Sequence, residues 1–318
     1  MLSSVLSKRN NIFQQRLTAQ IALVAAALAW CVAASAAPAP TLPDYSYGPH
    51  ERNVLDFWRA ESATPAPVVI YIHGGGFYLG SKGSVNGADI EFCLKNGVSV
   101  ASINYPYYAD VPLQGIIRDN IARAVQFLRY KAGELNIDKD RIAVYGQSAG
   151  AGSSLWLAFH DDLADPESQD PVLRESSRVR AAGAIDTQAT YDFLRWPEIF
   201  KQTIDGRAMN GWMLVMKQVI LDMYHVKQEK DLKSPENAAM RRDLDMLALM
   251  DASDPPVIMQ TFVSRLRPSD VLHHIAHPLT VLENCEKTGV ACMLIRDETP
   301  EEQRIRVVEF LIRRLKQD

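Results

Sequence analysis

The sequence predicts an α/β fold: a mostly parallel central sheet covered by helices on both faces, with a helical cap inserted after the sixth strand. Three observations carry this. Short apolar, β-branched runs recur along the chain, amphipathic helical stripes lie between most of them, and two glycine turns stand directly at the ends of two runs. Strands that alternate with helices in this way pair in parallel and are buried on both faces.

Ahead of the fold, Lys8, Arg9 and Arg16 precede an uncharged apolar run over 21–32 and the small residues 33–37, which reads as a signal peptide over 1–36 with Ala34-x-Ala36 as its cleavage site. The run is too short to span a bilayer comfortably, so no stable membrane insertion is expected after cleavage, and an exported, periplasmic or secreted location follows. Residues 37–44 form a proline-rich leader not expected to order on its own, and the folded domain is expected over 45–318.

Strand signals fall at 53–58, 68–72, 98–104, 141–145, 179–186, 256–261 and 290–295. A helix over 114–132 places Ile117, Ile121, Ala124, Val125 and Leu128 on one stripe, and a last helix over 300–316 does the same with Ile305, Val308, Phe310, Leu311 and Leu315. Residues 191–251 break this rhythm, with Phe193-Leu194-Arg195-Trp196-Pro197, an apolar segment Trp212-Met213-Leu214-Val215-Met216 and a charged stretch over 227–242. They read as a helical cap that shapes the substrate pocket, although Met and Trp at helical spacing are more often core than substrate contacts.

At 318 residues, nearly half apolar, the chain can bury one large core, and a net charge of −4 offers no basic field for nucleic acid. Signal cleavage would leave Cys93, Cys285 and Cys292, so at least one thiol stays free; Cys285 and Cys292 could pair or be two buried cysteines. None has metal-ligand spacing, so no metal is expected, and no cofactor is expected either.

The chemistry centres on Gly146-Gln147-Ser148-Ala149-Gly150, a sharp turn after the run 141–145 and before a small-residue helix. The flanking glycines suit a turn so tight that a Cβ would collide, leaving the serine hydroxyl exposed at the sheet edge. Upstream, the run 68–72 leads into His73-Gly74-Gly75-Gly76-Phe77, a glycine loop whose amides can face a developing oxyanion. Either motif alone is weak; both at strand ends, in this order, point to an acyl-transfer site of the α/β-hydrolase type.

These two motifs resemble those of hormone-sensitive-lipase-like esterases, and more narrowly of the feruloyl and acetyl xylan esterase branch. Arg52-Asn53-Val54-Leu55-Asp56-Phe57-Trp58, Ser102-Ile103-Asn104-Tyr105 and Asn136-Ile137-Asp138 also match. The resemblance implies that Ser148 is the nucleophile, that the amides of Gly75, Gly76 and Ala149 form the oxyanion hole, and that His73 braces the loop. The substrate it implies is a small-molecule or saccharide ester.

A serine nucleophile needs a base and an orienting carboxylate, in the chain order serine, acid, histidine. Asp270 is the acid by register, lying nineteen residues before Gly289-Val290 as is common in that family. The histidine expected after the last strand is missing, since 296–300 contains none and no histidine follows His277. Three stand near Asp270: His273, His274 and His277. If the segment is helical, His274 at i+4 shares the face of Asp270 and is the base, with a helix-capping or substrate-binding role for the His-His pair as the rival reading. Asp186, Asp192 and Asp254 read as turn or cap residues, and His160 as structural.

The expected function is therefore an exported serine carboxylesterase acting on small or carbohydrate-linked esters through an acyl-enzyme on Ser148. The alternative, prompted by the missing histidine, is a weakened relative that binds a ligand without turning it over. A peptidase is disfavoured by the absence of a gating domain.

Overall fold

The computed structural model describes residues 38–262 and 270–317, so the signal-peptide expectation lies outside the described residues. Eight strands form one sheet: β1 (Leu42–Ser46), β2 (Val54–Trp58), β3 (Ala66–Ile72), β4 (Ser99–Ile103), β5 (Ile137–Gln147), β6 (Ala181–Ile185), β7 (Val257–Gln260) and β8 (Cys292–Ile295). Their order is β1-β2-β4-β3-β5-β6-β7-β8. β1 and β2 pair antiparallel, β2 runs antiparallel to β4, and all pairs from β4 to β8 are parallel.

All seven expected strands are present, and β1 is an addition. The chain joins the sheet a few residues before the expected start at Tyr45, with Leu42 opposite Phe57 and Tyr45 opposite Leu55. The indole of Trp58 donates to Pro38 O (2.6 Å) and the amide of Arg59 to Thr41 Oγ1 (3.0 Å), pinning the leader. Its prolines are tolerated because an edge strand needs amide donors on one side only.

The period-2 alternation of β3 divides the core. Val68, Ile70 and Ile72 face one apolar layer, and Val69 and Tyr71 the other. The first layer packs on the helix α2 (Ala122–Tyr130) and the helix after Ser148, α3 (Ala149–Phe159). On the second face lie α1 (Gly87–Lys95) and the C-terminal helix (Val307–Leu315). Each such buried Ile or Leu contributes about 1.5–3 kcal/mol, which is why the sheet forms a rigid base for the site.

The stripe expected over 114–132 is buried as predicted, but α2 is preceded by a π-helical turn, Ile116–Ile121. There Asn120 Nδ2 donates to Gly115 O (2.8 Å), inserting a side chain into the helical ladder. The last helix starts later than expected. Pro300 opens a 3₁₀ turn over Glu301–Gln303, and the Arg304 guanidinium donates to Thr299 O and Asp297 O (2.9 and 2.8 Å), holding this stretch out of the helix.

The insertion after β6 is helical, comprising α4 (Trp196–Phe200), α5 (Gly206–Met223) and α6 (Pro235–Asp243) with short turns between them. Asp205 and Ser234 cap α5 and α6 by accepting from first-turn amides. Asp243 ties this cap to the body: its carboxylate accepts from Gln114 (2.8 Å), Arg118 (3.1 Å) and His160 (2.9 Å), and its carbonyl from the indole of Trp156 (2.6 Å). His160 is thus structural, as expected. Trp212, Met213 and Met216 pack against the core, while Leu214 and Val215 are exposed.

After β7 comes α7 (Ala276–Thr288), and the C-terminal helix is α8. Cys285 in α7 and Cys292 in β8 form a disulfide, and Cys93 is a buried free thiol. Among the described residues, no helix is long and apolar enough to cross a membrane, and no cluster of His, Cys, Asp or Glu could hold a metal ion.

Candidate active site

β5 ends at Gln147 and α3 begins at Ala149, so Ser148 carries the whole reversal, with φ 52° and ψ −117°. A non-glycine residue there costs about 1–3 kcal/mol and persists only when its surroundings over-determine it. They do so here. A Cβ on Gly150 would run into Ile72 O and lie 2.7 Å from His73 O, so only glycine lets α3 approach the end of β3. The first helical bonds run from the amides of Ala151 and Gly152 to Ser148 O (2.9 and 3.1 Å), leaving the Ala149 and Gly150 amides at the open end of α3.

The glycine loop lies against this turn. A Cβ built on Gly74 would be 2.8 Å from Gln147 O and 3.4 Å from the Ser148 Cβ. Three consecutive residues then take positive φ: Gly75 (109°), Gly76 (60°) and Phe77 (62°). The amides of Tyr78 and Leu79 both donate to Gly75 O at 3.1 Å, closing the loop. His73 is buried and stacks on Tyr105 (centroids 4.1 Å apart), and its Nδ1–H donates to Gly74 O at 2.6 Å. Burial, helped by the Arg52 cation, lowers its pKa to about 4, so it is neutral and braces the loop.

Opposite the serine, Asp270 and His273 come from one turn. His273 Nε2 lies 2.9 Å from Ser148 Oγ and its Nδ1 lies 2.9 Å from Asp270 Oδ2. The backbone amide of His273 also donates to Asp270 Oδ1 (3.2 Å), which sets the turn. The expectation for His274 is therefore corrected. Residues 270–275 form turns and not an α-helix, so the residue at i+3, not i+4, returns to the carboxylate. His274 points elsewhere: its Nδ1 accepts from the Ala276 amide (3.1 Å) and its ring sets its edge against Phe200.

His277 does not reach the serine either. It is fully buried, Nδ1 accepts from the Ala189 amide (3.3 Å), and Nε2–H donates to Val271 O (3.1 Å). Burial lowers its pKa to about 3 despite that hydrogen bond, so it is a neutral core residue.

The Asp270–His273 pair is electrostatically matched. Burial disfavours the His273 cation, but the hydrogen bond and charge of Asp270, with the field of Asp186, outweigh it and raise the pKa above the ordinary imidazole value. Burial alone would raise Asp270; its bonds to His273 and to local amides bring it below the usual carboxylate range. Asp192 pairs with Arg241 (2.9 Å) and Asp254 with Arg178 (3.3 Å), so neither serves the site.

Gly75, Gly76, Ala149, Ser148 and Asp270 are thus brought to one end of the sheet, and His273 takes the place expected for His274. The signal that could have distinguished the two histidines is Asp270 as a turn initiator, whose side chain accepts from the residue three positions on.

The BD-FAE family model matches residues 55–260, more than half of the chain. A probable isoprenylcysteine alpha-carbonyl methylesterase of Arabidopsis thaliana is 29% identical over 138 residues, a match covering 42% of this chain and only 28% of that relative. An acetyl esterase of Salmonella schwarzengrund is 22% identical over 263 residues, covering 74% of this chain and 75% of the relative. In structure, an acetyl ester-xyloside bifunctional hydrolase of Caldicellulosiruptor lactoaceticus superposes with a TM-score of 0.58 at 20% identity, covering 76% of both chains. The sheet order and this likeness agree on the α/β-hydrolase fold.

Proposed function

The chain belongs to the BD-FAE family, and from that premise we propose that it is a serine carboxylesterase cleaving small or carbohydrate-linked esters through an acyl-enzyme on Ser148. The observation that carries the proposal is the continuous connection Ser148 Oγ–His273 Nε2 and His273 Nδ1–Asp270 Oδ2, both 2.9 Å. With Nδ1–H donated to Asp270, Nε2 is free to accept the serine proton. Ser148 Oγ attacks the ester carbonyl as His273 takes its proton. The amides of Gly75, Gly76 and Ala149 receive the oxyanion, and the imidazolium then protonates the departing alcohol. Water repeats the sequence on the acyl-enzyme, with His273 again the base.

The ligand-binding alternative drew on the missing histidine after β8. His273 beside Ser148 offers a base from another loop and so supports the esterase reading over that alternative. The similarities to an acetyl esterase and a methylesterase support a carboxylic ester, and of the three described only the acetyl ester-xyloside hydrolase suggests a sugar-linked one. Export is supported by the charged and then apolar start of the chain and by the Cys285–Cys292 disulfide, which suits an oxidising compartment.

Turnover of p-nitrophenyl acetate and labelling by a fluorophosphonate, in wild type and Ser148→Ala, test the proposal. Wild type should turn over and label, whereas Ser148→Ala should lose labelling and on the order of 10⁴-fold or more in kcat. A wild type that neither turns over nor labels would sink it. Release of acetate from acetylated xylo-oligosaccharides tests the sugar-ester part separately.

A further inference from the structure

Two of the matching stretches, 52–58 and 102–105, contribute nothing to the triad, yet both converge on the glycine loop. Arg52, at the entry to β2, donates from Nε to Tyr105 O (2.8 Å) and from Nη2 to Gly80 O (3.2 Å). Its guanidinium lies 3.8 Å over the ring of Tyr107, whose hydroxyl also donates to Gly80 O (2.7 Å). Tyr105 in turn stacks on His73 and donates its hydroxyl to His73 O (2.7 Å). Gly80 packs back on the start of the loop: a Cβ there would lie 2.7 Å from His73 Nδ1. Just beyond, the amide of Lys82 donates to Asn104 Oδ1 (2.7 Å), Ser102 Oγ donates to Lys82 O (2.6 Å), and the Lys82 ammonium pairs with Asp56 (2.7 Å).

One planar side chain thereby ties the two ends of the segment 73–80, through Tyr105 at His73 and directly at Gly80. Within the segment, the Tyr78 and Leu79 amides close on Gly75 O, and the Tyr108 amide holds Phe77 O (2.8 Å), but these bonds do not fix the two ends of three successive positive-φ residues, which persist only when their surroundings hold them. We propose that Arg52, with Tyr107, is a positioning residue that sets where the Gly75 and Gly76 amides point. The inference rests on the esterase reading, since those amides matter only where an oxyanion develops. Displacing a stabilising donor by about 1 Å costs on the order of 10²-fold in rate, with little effect on ground-state binding. Lysine cannot substitute, having no planar fork to bridge two carbonyls.

The test measures kcat and KM for p-nitrophenyl acetate, normalised to active sites titrated with a fluorophosphonate, in wild type, Arg52→Ala, Arg52→Lys and Tyr107→Phe, alongside thermal unfolding. Arg52→Ala should lose on the order of 10- to 100-fold in kcat, with KM held within about threefold, and Arg52→Lys should resemble it. Tyr107→Phe keeps the ring under the guanidinium and should lose about 3- to 10-fold, and it decides the matter alone if Arg52→Ala does not fold. Millimolar guanidinium should restore part of kcat in Arg52→Ala and nothing in Tyr107→Phe. Per-site kcat within about twofold of wild type in these variants overturns the proposal. So does a deficit that follows lost thermal stability and ignores guanidinium. A wild type that neither labels nor turns over instead overturns the esterase reading, and this inference with it.

Discussion

Two adjacent histidines allow a sharp test of the proposal, because the structure gives them different surroundings one residue apart. His273→Ala removes the only imidazole, among the described residues, within hydrogen-bond reach of Ser148 Oγ, at 2.9 Å. Without a base the hydroxyl must attack in its neutral form, and loss of a triad member costs on the order of 10⁴-fold or more, about 5.5 kcal/mol at 1.36 kcal/mol per decade. Stability should fall less. The lost bond to Asp270 joins side chains that are 21% and 22% exposed, which places its contribution near the low end of charged hydrogen bonds, about 1–2 kcal/mol. His274→Ala removes an acceptor for the Ala276 amide and an edge contact with Phe200, both outside the serine–histidine connection. It should cost about 1 kcal/mol of stability and leave kcat within about threefold. Steady-state hydrolysis of p-nitrophenyl acetate with thermal unfolding reads both. Wild-type kcat in His273→Ala, or a 10⁴-fold loss in His274→Ala, would refute the assignment.

Three further outcomes follow from the same geometry. The raised His273 pKa places the ascending limb of kcat/KM above the ordinary imidazole value of about 6.5, so activity should climb with pH through that point, and Asp270→Asn should lower both the limb and the plateau. By linkage, the stability His273 gains from its raised pKa is fully present below about pH 6.5 and is lost as pH rises through the folded value. The stability gap between wild type and His273→Ala should therefore narrow in alkaline buffer, and a gap that widens would contradict the pairing. Gly150→Ala places a Cβ against the backbone carbonyls of Ile72 and His73, which cannot swing aside as a side chain would, so it should cost about 3 kcal/mol or more; a melting temperature within about 2 °C of wild type would contradict that packing.

Legibility in the sequence followed the physics of each element. β3 was readable because every residue of Ala66–Ile72 is buried, which demands an uninterrupted apolar run. β1 was not, because an edge strand is mostly exposed and can carry Pro43, so its residues resemble a loop. The buried stripe over 114–132 was legible, but its π turn depends on a side-chain bond from Asn120 that periodicity does not report. At the site, Ser148 and the glycine loop stood out because tight backbone approach admits only glycine. The histidine did not, since whether i+3 or i+4 returns to Asp270 is decided by a turn that local propensity leaves open.

On the proposed reading, that turn also lets the site do without a histidine after β8. There the chain closes on itself, with the Arg296 amide donating to Thr299 Oγ1 (3.0 Å) and the Arg304 guanidinium donating to Asp297 O (2.8 Å). The proposed acid and base, Asp270 and His273, instead share a four-residue turn, and their mutual geometry depends on one backbone segment, not on two strand ends. Such a segment must be anchored independently. Gln188 Nε2 donates to Leu272 O (2.8 Å), and His277 Nε2 donates to Val271 O while its Nδ1 accepts from the Ala189 amide. Both anchors lead to residues 188–189, just after β6, the strand that also accepts the Ser148 amide at Ile185 O (2.9 Å). Ser148, Asp270 and His273 are therefore all referenced to the end of β6, and the proposed base, carried on the proposed acid's own turn, can meet Ser148 without a histidine from the loop after β8.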